Sequence, residues 1–359
     1  MALCFGLSKR GTFAGILRLI QLRDAARSFH AMTQSAAVSI IMVNRNGGAS
    51  LARAVNTCRT AIEQALPIEP RIEFVVVDNG STDGPEAEIE RELKTAPFAW
   101  RIVHEPKSGV NYARNTGIES TSGDLLLFVD SDLDFDPGWL RAFLAAAMDR
   151  PDAQVFAGRV RVGRVEAPLP AWLAVGGPFV RTSIVVQCDY GDAIAELPLS
   201  ESRGPIGPNM GFRRNIFRQF GGFDTRFGLR PGSLVPAAES EFFDRLWRSG
   251  MRFLYVPGAV VDHPLRRSQM TRKYFRTRMH GIGRANSRLR MLRGQRPKRL
   301  CGLTLYVFPQ LLRALARWVS ASVTLAPPER RFHALCDVSI HLGYLHEDFT
   351  AWRNGSIEA

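Results

Sequence analysis

Two acidic residues follow a short, fully apolar segment near the middle of the chain. Residues 125–129 are all hydrophobic, which is typical of a strand buried on both faces of a parallel sheet. Asp130 and Asp132 come directly after them, and alternate residues of an extended chain point to the same side. Two neighbouring carboxylates repel each other unless a cation lies between them. The pattern therefore predicts a site for Mg²⁺ or Mn²⁺ at the end of a central strand, with a polar surface turn as the alternative.

Predicted strands and helices alternate in the first part of the chain. The strands cover residues 38–43, 72–77, 101–104 and 124–130, and the helices cover 49–66, a segment from Pro85, 109–117 and 136–149. Beyond Pro151 the pattern predicts a strand at 155–162, an irregular stretch at 168–208, a helix at 238–249 and strands at 253–256 and 259–263. The alternation predicts an α/β protein with a mostly parallel twisted sheet and helices on both faces.

The composition is that of a globular protein of one large or two modest domains. The chain has 359 residues, of which 45% are hydrophobic and 23% charged. Its five cysteines are scattered, so neither a disulfide framework nor a zinc site is expected, and a reducing compartment fits best.

Positive charge is concentrated towards the C-terminus. The formal net charge is +13, and residues 266–299 contain thirteen Lys or Arg and no Asp or Glu. Such a stretch can bind an anionic membrane or a phosphorylated substrate, or be a solvated face. Because no aromatic and basic RNA-binding motif is present, we expect no nucleic-acid partner.

Two segments outside the predicted sheet are amphipathic. Residues 1–36 predict a loosely ordered basic leader rather than a signal peptide or a membrane span. Residues 303–326 are apolar but include Arg313 and Arg317, which would be costly in a spanning helix. An interfacial helix on the membrane is the prediction for this segment, and a helical pair packed on the α/β domain is the alternative.

A series of motifs between residues 37 and 271 resembles the family 2 glycosyltransferases of the GT-A fold, in particular the inverting, bacterial type. The first motif is the strand and turn at 38–46. The others are VVVDNGSTD at 75–83, Gly109 with ARNTG at 113–117, LFVDSD at 127–132, NMGFRR at 209–214, GGFD at 221–224, AESEF at 238–242 and VDH at 261–263.

The resemblance implies a hexosyl- or deoxyhexosyltransferase that uses a nucleoside diphosphate sugar and a divalent metal. By similarity, Asp78 would bind the nucleobase, and Asn44 and Asn46 would line the nucleotide pocket. Arg114 and Asn115 match positions near the nucleotide, and Asp130 matches one that serves both nucleotide and metal. Asp132 and His263 match metal or diphosphate positions. Glu239 matches the catalytic base, and Glu241 is the second choice.

Two positions depart from the usual pattern of the family. Asn79 stands where a second Asp is common after Asp78, and Glu239 replaces the usual catalytic Asp with a longer side chain. The role of the base is retained only if the backbone at Glu239 lies slightly further from the acceptor.

Together these observations predict a basic leader (1–36), a catalytic domain (37–265, with nucleotide and acceptor halves divided at residue 150) and a basic helical C-terminal region (266–359). The predicted function is inverting, metal-assisted sugar transfer to a saccharide or lipid-linked acceptor in cell-envelope polysaccharide or glycolipid synthesis. The predicted location is cytoplasmic, on the inner face of the membrane. The alternatives are a nucleotidyltransferase and an inactive GT-A-like protein that binds membranes.

Overall fold

The computed structural model describes residues 37–170, 172–173, 185–199, 204–228, 235–236 and 238–355. The predicted leader at 1–36 lies outside these ranges, as does part of the stretch predicted to be irregular. Within them, one large sheet carries the candidate site and a helical region follows it.

The sheet has a parallel half and a mixed half. Its strands are β1 (Val38–Asn44), β2 (Ile72–Asp78), β3 (Ala99–His104), β4 (Leu125–Asp130), β5 (Asp134–Phe135), β6 (Val155–Val165), β7 (Ala195–Pro198), β8 (Asn209–Arg213) and β9 (Arg252–Leu265). Their order is β3-β2-β1-β4-β8-β6-β9-β5, with β7 also paired to β9. Strands β1 to β4 run parallel, β8 is antiparallel to β4 and β6, and β6 is parallel to β9. The sheet is therefore continuous across the predicted division at residue 150.

Helices cover both faces of the sheet, as the alternation predicts. They are α1 (Ala49–Ala65), α2 (Glu86–Leu93), α3 (Val110–Glu119), α4 (Trp139–Asp149), α5 (Asn215–Phe220) and α6 (Ser240–Arg248). Successive strand residues enter opposite cores: Ile40 packs with α1, α2 and α4, whereas Ile41 packs with α3, α5 and α6. This explains why the central strands are apolar throughout.

Strand β9 differs from the sequence-based expectation. The separate strands predicted at 253–256 and 259–263 are one strand, so that prediction is wrong. Gly158 of β6 pairs with Val256 and the next residue, Arg159, pairs with Val260, so residues 257–259 form a bulge in β9. The Pro257-Gly258 pair thus interrupts the register without ending the strand. Because β9 continues past the bulge, its C-terminal residues, including His263, reach the edge of the sheet where β4 ends.

The C-terminal region contains α7 (Arg272–Leu292), a short hairpin of β10 (Arg299–Leu300) and β11 (Leu303–Thr304), α8 (Val307–Val323) and α9 (Pro328–Arg353). Helices α7 and α9 approach closely at two glycines. A Cβ added to Gly283 would lie 1.8 Å from the Ile340 carbonyl oxygen, and one added to Gly343 would lie 1.9 Å from that of His280. Among the described residues, no helix combines the length and apolarity needed to span a bilayer.

Ion pairs fix much of the basic stretch inside the protein. Asp348 is fully buried and accepts hydrogen bonds from Arg290 (2.8 Å) and from the Thr304 amide (3.0 Å). Arg284 and Arg288 both pair with Glu347 of α9. Helices α7 and α9 are therefore packed on each other, and part of the charge counted at 266–299 is internal.

The close contact between α7 and α9 gives a prediction for stability. Replacing Gly283 with Ala places a methyl group on a backbone carbonyl, so we expect a loss of about 1–3 kcal/mol in the free energy of unfolding. Chemical denaturation would measure it. The control is Asn286→Ala, an exposed position one turn further along α7, which should leave stability unchanged or slightly higher. Equal stability of the Gly283→Ala variant and the control would contradict the packing described here.

Candidate active site

Three potential metal ligands meet where β4 and β9 end. One ligand atom each from Asp130, Asp132 and His263 lies within 4.8 Å of the others. The separation between Asp132 Oδ1 and His263 Nε2 is 3.9 Å. Asp130 is the last residue of β4, and β9 brings His263 beside it because β5, just after the acidic pair, pairs with β9 at Asp262. Two carboxylates and one imidazole form a suitable donor set for a hard divalent cation such as Mn²⁺ or Mg²⁺.

The electrostatics of this cluster favour a bound cation. Burial is the main cause that raises the pKa of Asp130 to about 6; the carboxylates of Asp132 and Glu239 act in the same direction, whereas Arg114 and His263 oppose it. A positive ion among these oxygens would restore the ionised form. Arg266, just beyond β9, already donates a 2.8 Å hydrogen bond to Asp132 Oδ2. A divalent ion bound here would share these carboxylates with Arg266.

Glu239 faces the cluster from the start of α6. Its Oε1 accepts a 3.3 Å hydrogen bond from the Gly207 amide, and its Oε2 lies 3.6 Å from Arg114 Nη1. The Glu239 side chain is 25% exposed. The Arg114 guanidinium is buried and lies 5.4 Å from the centre of the Phe223 ring. A partly exposed carboxylate held from one side can accept a proton at its open side.

Asn111 is a positioning residue that the sequence did not reveal. Its buried amide donates to the carbonyls of Ala238 (2.6 Å) and Asp224 (2.9 Å), and its Oδ1 accepts from Arg114 (3.3 Å). These bonds tie the residue before Glu239 to α3. The available signal was the position of Asn111 one helical turn before Arg114, which places both on one face.

The side chains of Glu241 and Asn115 form contacts that stabilise the local structure. Glu241 pairs with Arg245 at 2.8 Å, one turn along α6, and Arg245 also bonds to the Gly222 carbonyl. Both polar atoms of the Asn115 amide bond to the backbone of Phe223. These bonds hold the turn at 221–223 beneath Arg114. The catalytic role of Glu241 and the nucleotide contact of Asn115 stay predictions.

The residues predicted to bind the nucleotide join the ends of β1 and β2. Asn44 donates to Asp78 Oδ1 and to Ser81 Oγ at 3.3 Å each. Asn46 has a positive φ of 50° and accepts a 2.8 Å bond from the Thr82 amide. Asn44 Oδ1 is buried without a hydrogen-bond partner in the structure. The turns that follow β1 and β2 are therefore linked by hydrogen bonds. They lie beside the cluster of Asp130, Asp132 and His263.

His104 and Glu86 extend this set of linked residues, and the sequence did not indicate either. His104 ends β3, and its Nδ1 lies 3.8 Å from Asp78 Oδ2. Glu86, the first residue of α2, contributes an oxygen within 4.8 Å of both. The side chains come together because β2 and β3 are parallel neighbours whose ends are aligned.

The unusual Asn79 has a structural explanation. Its Nδ2 donates to the carbonyls of Glu105 (3.0 Å) and Lys107 (2.7 Å), and its Oδ1 accepts from the Gly109 amide (2.8 Å). An aspartate cannot donate these two bonds. The side chain therefore fixes the loop between β3 and α3 that leads to Arg114.

Asn79→Asp should consequently destabilise the protein by about 2–5 kcal/mol, because two donated bonds are lost and a carboxylate faces carbonyl oxygens. Thermal and chemical denaturation would measure the loss. Asn286→Asp, at an exposed helical position, controls for the charge change. A variant as stable as this control would show that the loop does not depend on the amide.

Comparisons with known proteins agree with this geometry. The model for "Glycosyl transferase family 2" matches residues 39–221, just over half of the chain. The glucosyl-dolichyl phosphate glucuronosyltransferase of Haloferax volcanii is 28% identical over 210 residues, covering 56% of this chain and 61% of that protein. The succinoglycan biosynthesis protein ExoM of Rhizobium meliloti is 25% identical over 233 residues, covering 65% of this chain and 70% of that protein. The chain thus spans less than two thirds of the first relative's length.

A solved structure supports the fold. The mannosyltransferase PcManGT of Pyrobaculum calidifontis, in complex with GDP-Man and Mn²⁺, superimposes with a TM-score of 0.55 at 17% identity, covering 86% of this chain and 88% of that one. The predicted GT-A fold is confirmed, and so is the predicted glycosyltransferase family. The chain belongs to glycosyl transferase family 2.

Proposed function

We propose that this protein transfers a sugar from a nucleoside diphosphate sugar to an acceptor hydroxyl by single displacement with inversion, assisted by a divalent metal. The observation that carries the proposal is the convergence of Asp130, Asp132 and His263 within 4.8 Å, with Glu239 near enough to raise the pKa of Asp130. Donor-side and acceptor-side groups thus share one site.

The donor would lie across the carboxyl ends of β1, β2 and β4. Asn44, Asn46 and Asp78 would hold the nucleoside, with Asp78 accepting from the base. Arg114 and Asn115 belong to the nucleotide side by resemblance, and the contact of Arg114 with Glu239 makes it the link to the acceptor side. Asp130, Asp132 and His263 would hold the metal, for which Mn²⁺ is supported by its presence with GDP-Man in PcManGT.

Breaking the bond between the anomeric carbon and the diphosphate leaves negative charge on the departing group. A bound divalent ion supplies Lewis-acid stabilisation of that charge. Arg266, now paired with Asp132, would add a guanidinium that can bind phosphate oxygens. Glu239 would remove the proton from the attacking acceptor hydroxyl, with Glu241 as the second candidate.

The acceptor is proposed to be a saccharide or a lipid-linked saccharide of the cell envelope. The names of the two relatives, one acting on a dolichyl phosphate glycolipid and one in succinoglycan biosynthesis, support this class. The proposal includes peripheral contact with the anionic inner face of the cytoplasmic membrane.

Release of free nucleoside diphosphate tests the proposal against the alternatives. The protein is incubated with a panel of nucleotide sugars and Mn²⁺, Mg²⁺ or a chelator. Slow metal-dependent hydrolysis to nucleoside diphosphate supports a transferase. A nucleotidyltransferase would instead exchange pyrophosphate, and an inactive protein would release nothing.

Asp132→Asn should reduce metal-dependent hydrolysis at least about 10²-fold, since it removes one charge from the metal cluster. The melting temperature should stay close to that of the wild type. Asp124→Asn, an exposed carboxylate just before the other end of β4, is the matched control and should retain activity. Near-normal turnover in the Asp132 variant would refute the metal assignment.

Glu239→Gln should lower sugar transfer by roughly 10²–10⁴-fold while donor binding, measured by calorimetry, is retained. Glu241→Gln gives the opposite pattern: lower stability through the lost pair with Arg245, and nearly normal transfer. If the Glu241 variant alone loses transfer, the base is Glu241 rather than Glu239.

A further inference from the structure

Helix α8 presents an apolar face that no other described part of the chain covers. Leu312 is 65% exposed, Val319 50% and Val323 76%. Leu305 and Phe308 continue the same stripe at the N-terminal end of the helix, at 39% and 37% exposure. The spacing of three, four and seven residues puts Phe308, Leu312, Val319 and Val323 on one side of the helix, and Leu305 lies in the turn just before it. Contiguous exposed apolar surface of this kind marks an interaction site.

Two arginines of α8 border this stripe along one edge. Arg313 and Arg317 lie on the solvent-facing side of α8 next to the apolar residues, and Arg317 also pairs with Asp337 at 3.1 Å. Helix α8 contains no acidic residue, and Glu329 is the only one between residues 266 and 336. The apolar face therefore lies in a strongly positive surrounding.

A basic groove borders the stripe along its other edge, towards α7 and α9. It has a volume of about 290 Å³ and lies between α7, α8 and α9, with Arg272, Arg276 and Arg331 as its cations and Trp318 and Phe332 among its apolar walls. Arg272 and Pro328 are the first residues of α7 and α9, so two helix N-termini open at this groove. Helix N-termini and clustered arginines both favour phosphate groups.

We propose that the stripe on α8 and the adjoining groove dock on the surface of a bilayer that contains anionic phospholipids, and that the groove takes the phosphate of a lipid headgroup. The inference rests on the peripheral membrane contact proposed above and names the surface that makes it. An apolar face between two rows of cations is the arrangement of a helix lying in the plane of a membrane interface.

Charge argues against a second copy of the chain as the occupant. Arg313 and Arg317 border the stripe near the middle of the length of α8. An antiparallel contact of two α8 helices would therefore bring Arg313 of one copy towards Arg317 of the other. Helix α8 has no carboxylate of its own, and Asp337 of α9, which pairs with Arg317, offsets only one of the two charges that each copy brings. An anionic lipid surface complements both the stripe and its borders.

The experiment is sedimentation of the full chain with vesicles of phosphatidylcholine alone and of phosphatidylcholine mixed equally with phosphatidylglycerol. The wild type should bind the anionic vesicles, and added salt should weaken the binding. Leu312→Ser with Val319→Ser should weaken binding at least about tenfold, because the inserted apolar area is lost. Arg272→Gln with Arg276→Gln should weaken binding to anionic vesicles by about fivefold for each cation.

A control variant removes one exposed arginine and one exposed apolar side chain from another helix. Arg141→Gln with Met148→Ser changes two exposed positions of α4 and should bind vesicles like the wild type. All variants alter exposed side chains, so their melting temperatures and nucleotide sugar hydrolysis should equal those of the wild type. Docking as expected without any hydrolysis would support this surface while contradicting the proposed transfer.

Three results would overturn the docking surface. The first is equal vesicle binding by the control, stripe and groove variants, or none by the wild type. The second is a dimer in light scattering that Leu312→Ser with Val319→Ser disperses, which would make the stripe a subunit interface. The third is thermal stabilisation by inorganic phosphate that depends on Arg272 and Arg276 without vesicle binding, which would assign the groove to free phosphate.

Discussion

The mutual repulsion of carboxylates at the end of β4 is the constraint on which the site depends. Asp132 and Glu239 both act on Asp130 there, and burial also opposes the ionisation of Asp130. Three side chains offset this charge: the Arg114 guanidinium on α3, the His263 imidazole on β9 and the Arg266 guanidinium beyond β9. Each comes from a different part of the sequence. The arrangement therefore requires the sheet to be complete before the charges are balanced.

Asparagine side chains hold the elements that bring these charges together. Asn79 fixes the loop before α3, and Asn111 and Asn115 fix α3 to the turns around Phe223 and Ala238. Each of these amides donates and accepts at once, which an acidic or aliphatic side chain cannot do. These three amides thus bind backbone groups, whereas the nearby carboxylates of Asp130, Asp132 and Glu239 could take part in chemistry. This division makes Asn115 a support of Arg114 in the structure, whatever its contact with a donor.

Most of the fold could be predicted because the parallel strands are apolar throughout and end in polar turns. The closeness of Asp130 and Asp132 could be predicted from the buried strand before them and from strand alternation. The bulge in β9 could not be predicted, because Pro257-Gly258 is equally typical of a turn between two strands. Only the pairing with β6 distinguishes a bulge from a turn. Asn111 and the salt bridges of Glu347 and Asp348 were hidden for another reason: they join residues far apart in sequence, and a basic stretch does not reveal where its partners lie. Net charge at 266–299 therefore overstated the basic surface.

The path of the chain after β9 has a mechanical consequence. His263 lies near the end of β9, Arg266 contacts Asp132, and α7 begins at Arg272, so the segment between sheet and C-terminal helices is short and contains no glycine. Helix α7 is in turn held to α9 at Gly283 and Gly343. A change in the orientation of this helical pair would therefore act first on Arg266 and the end of β9, next to the carboxylates of Asp130 and Asp132.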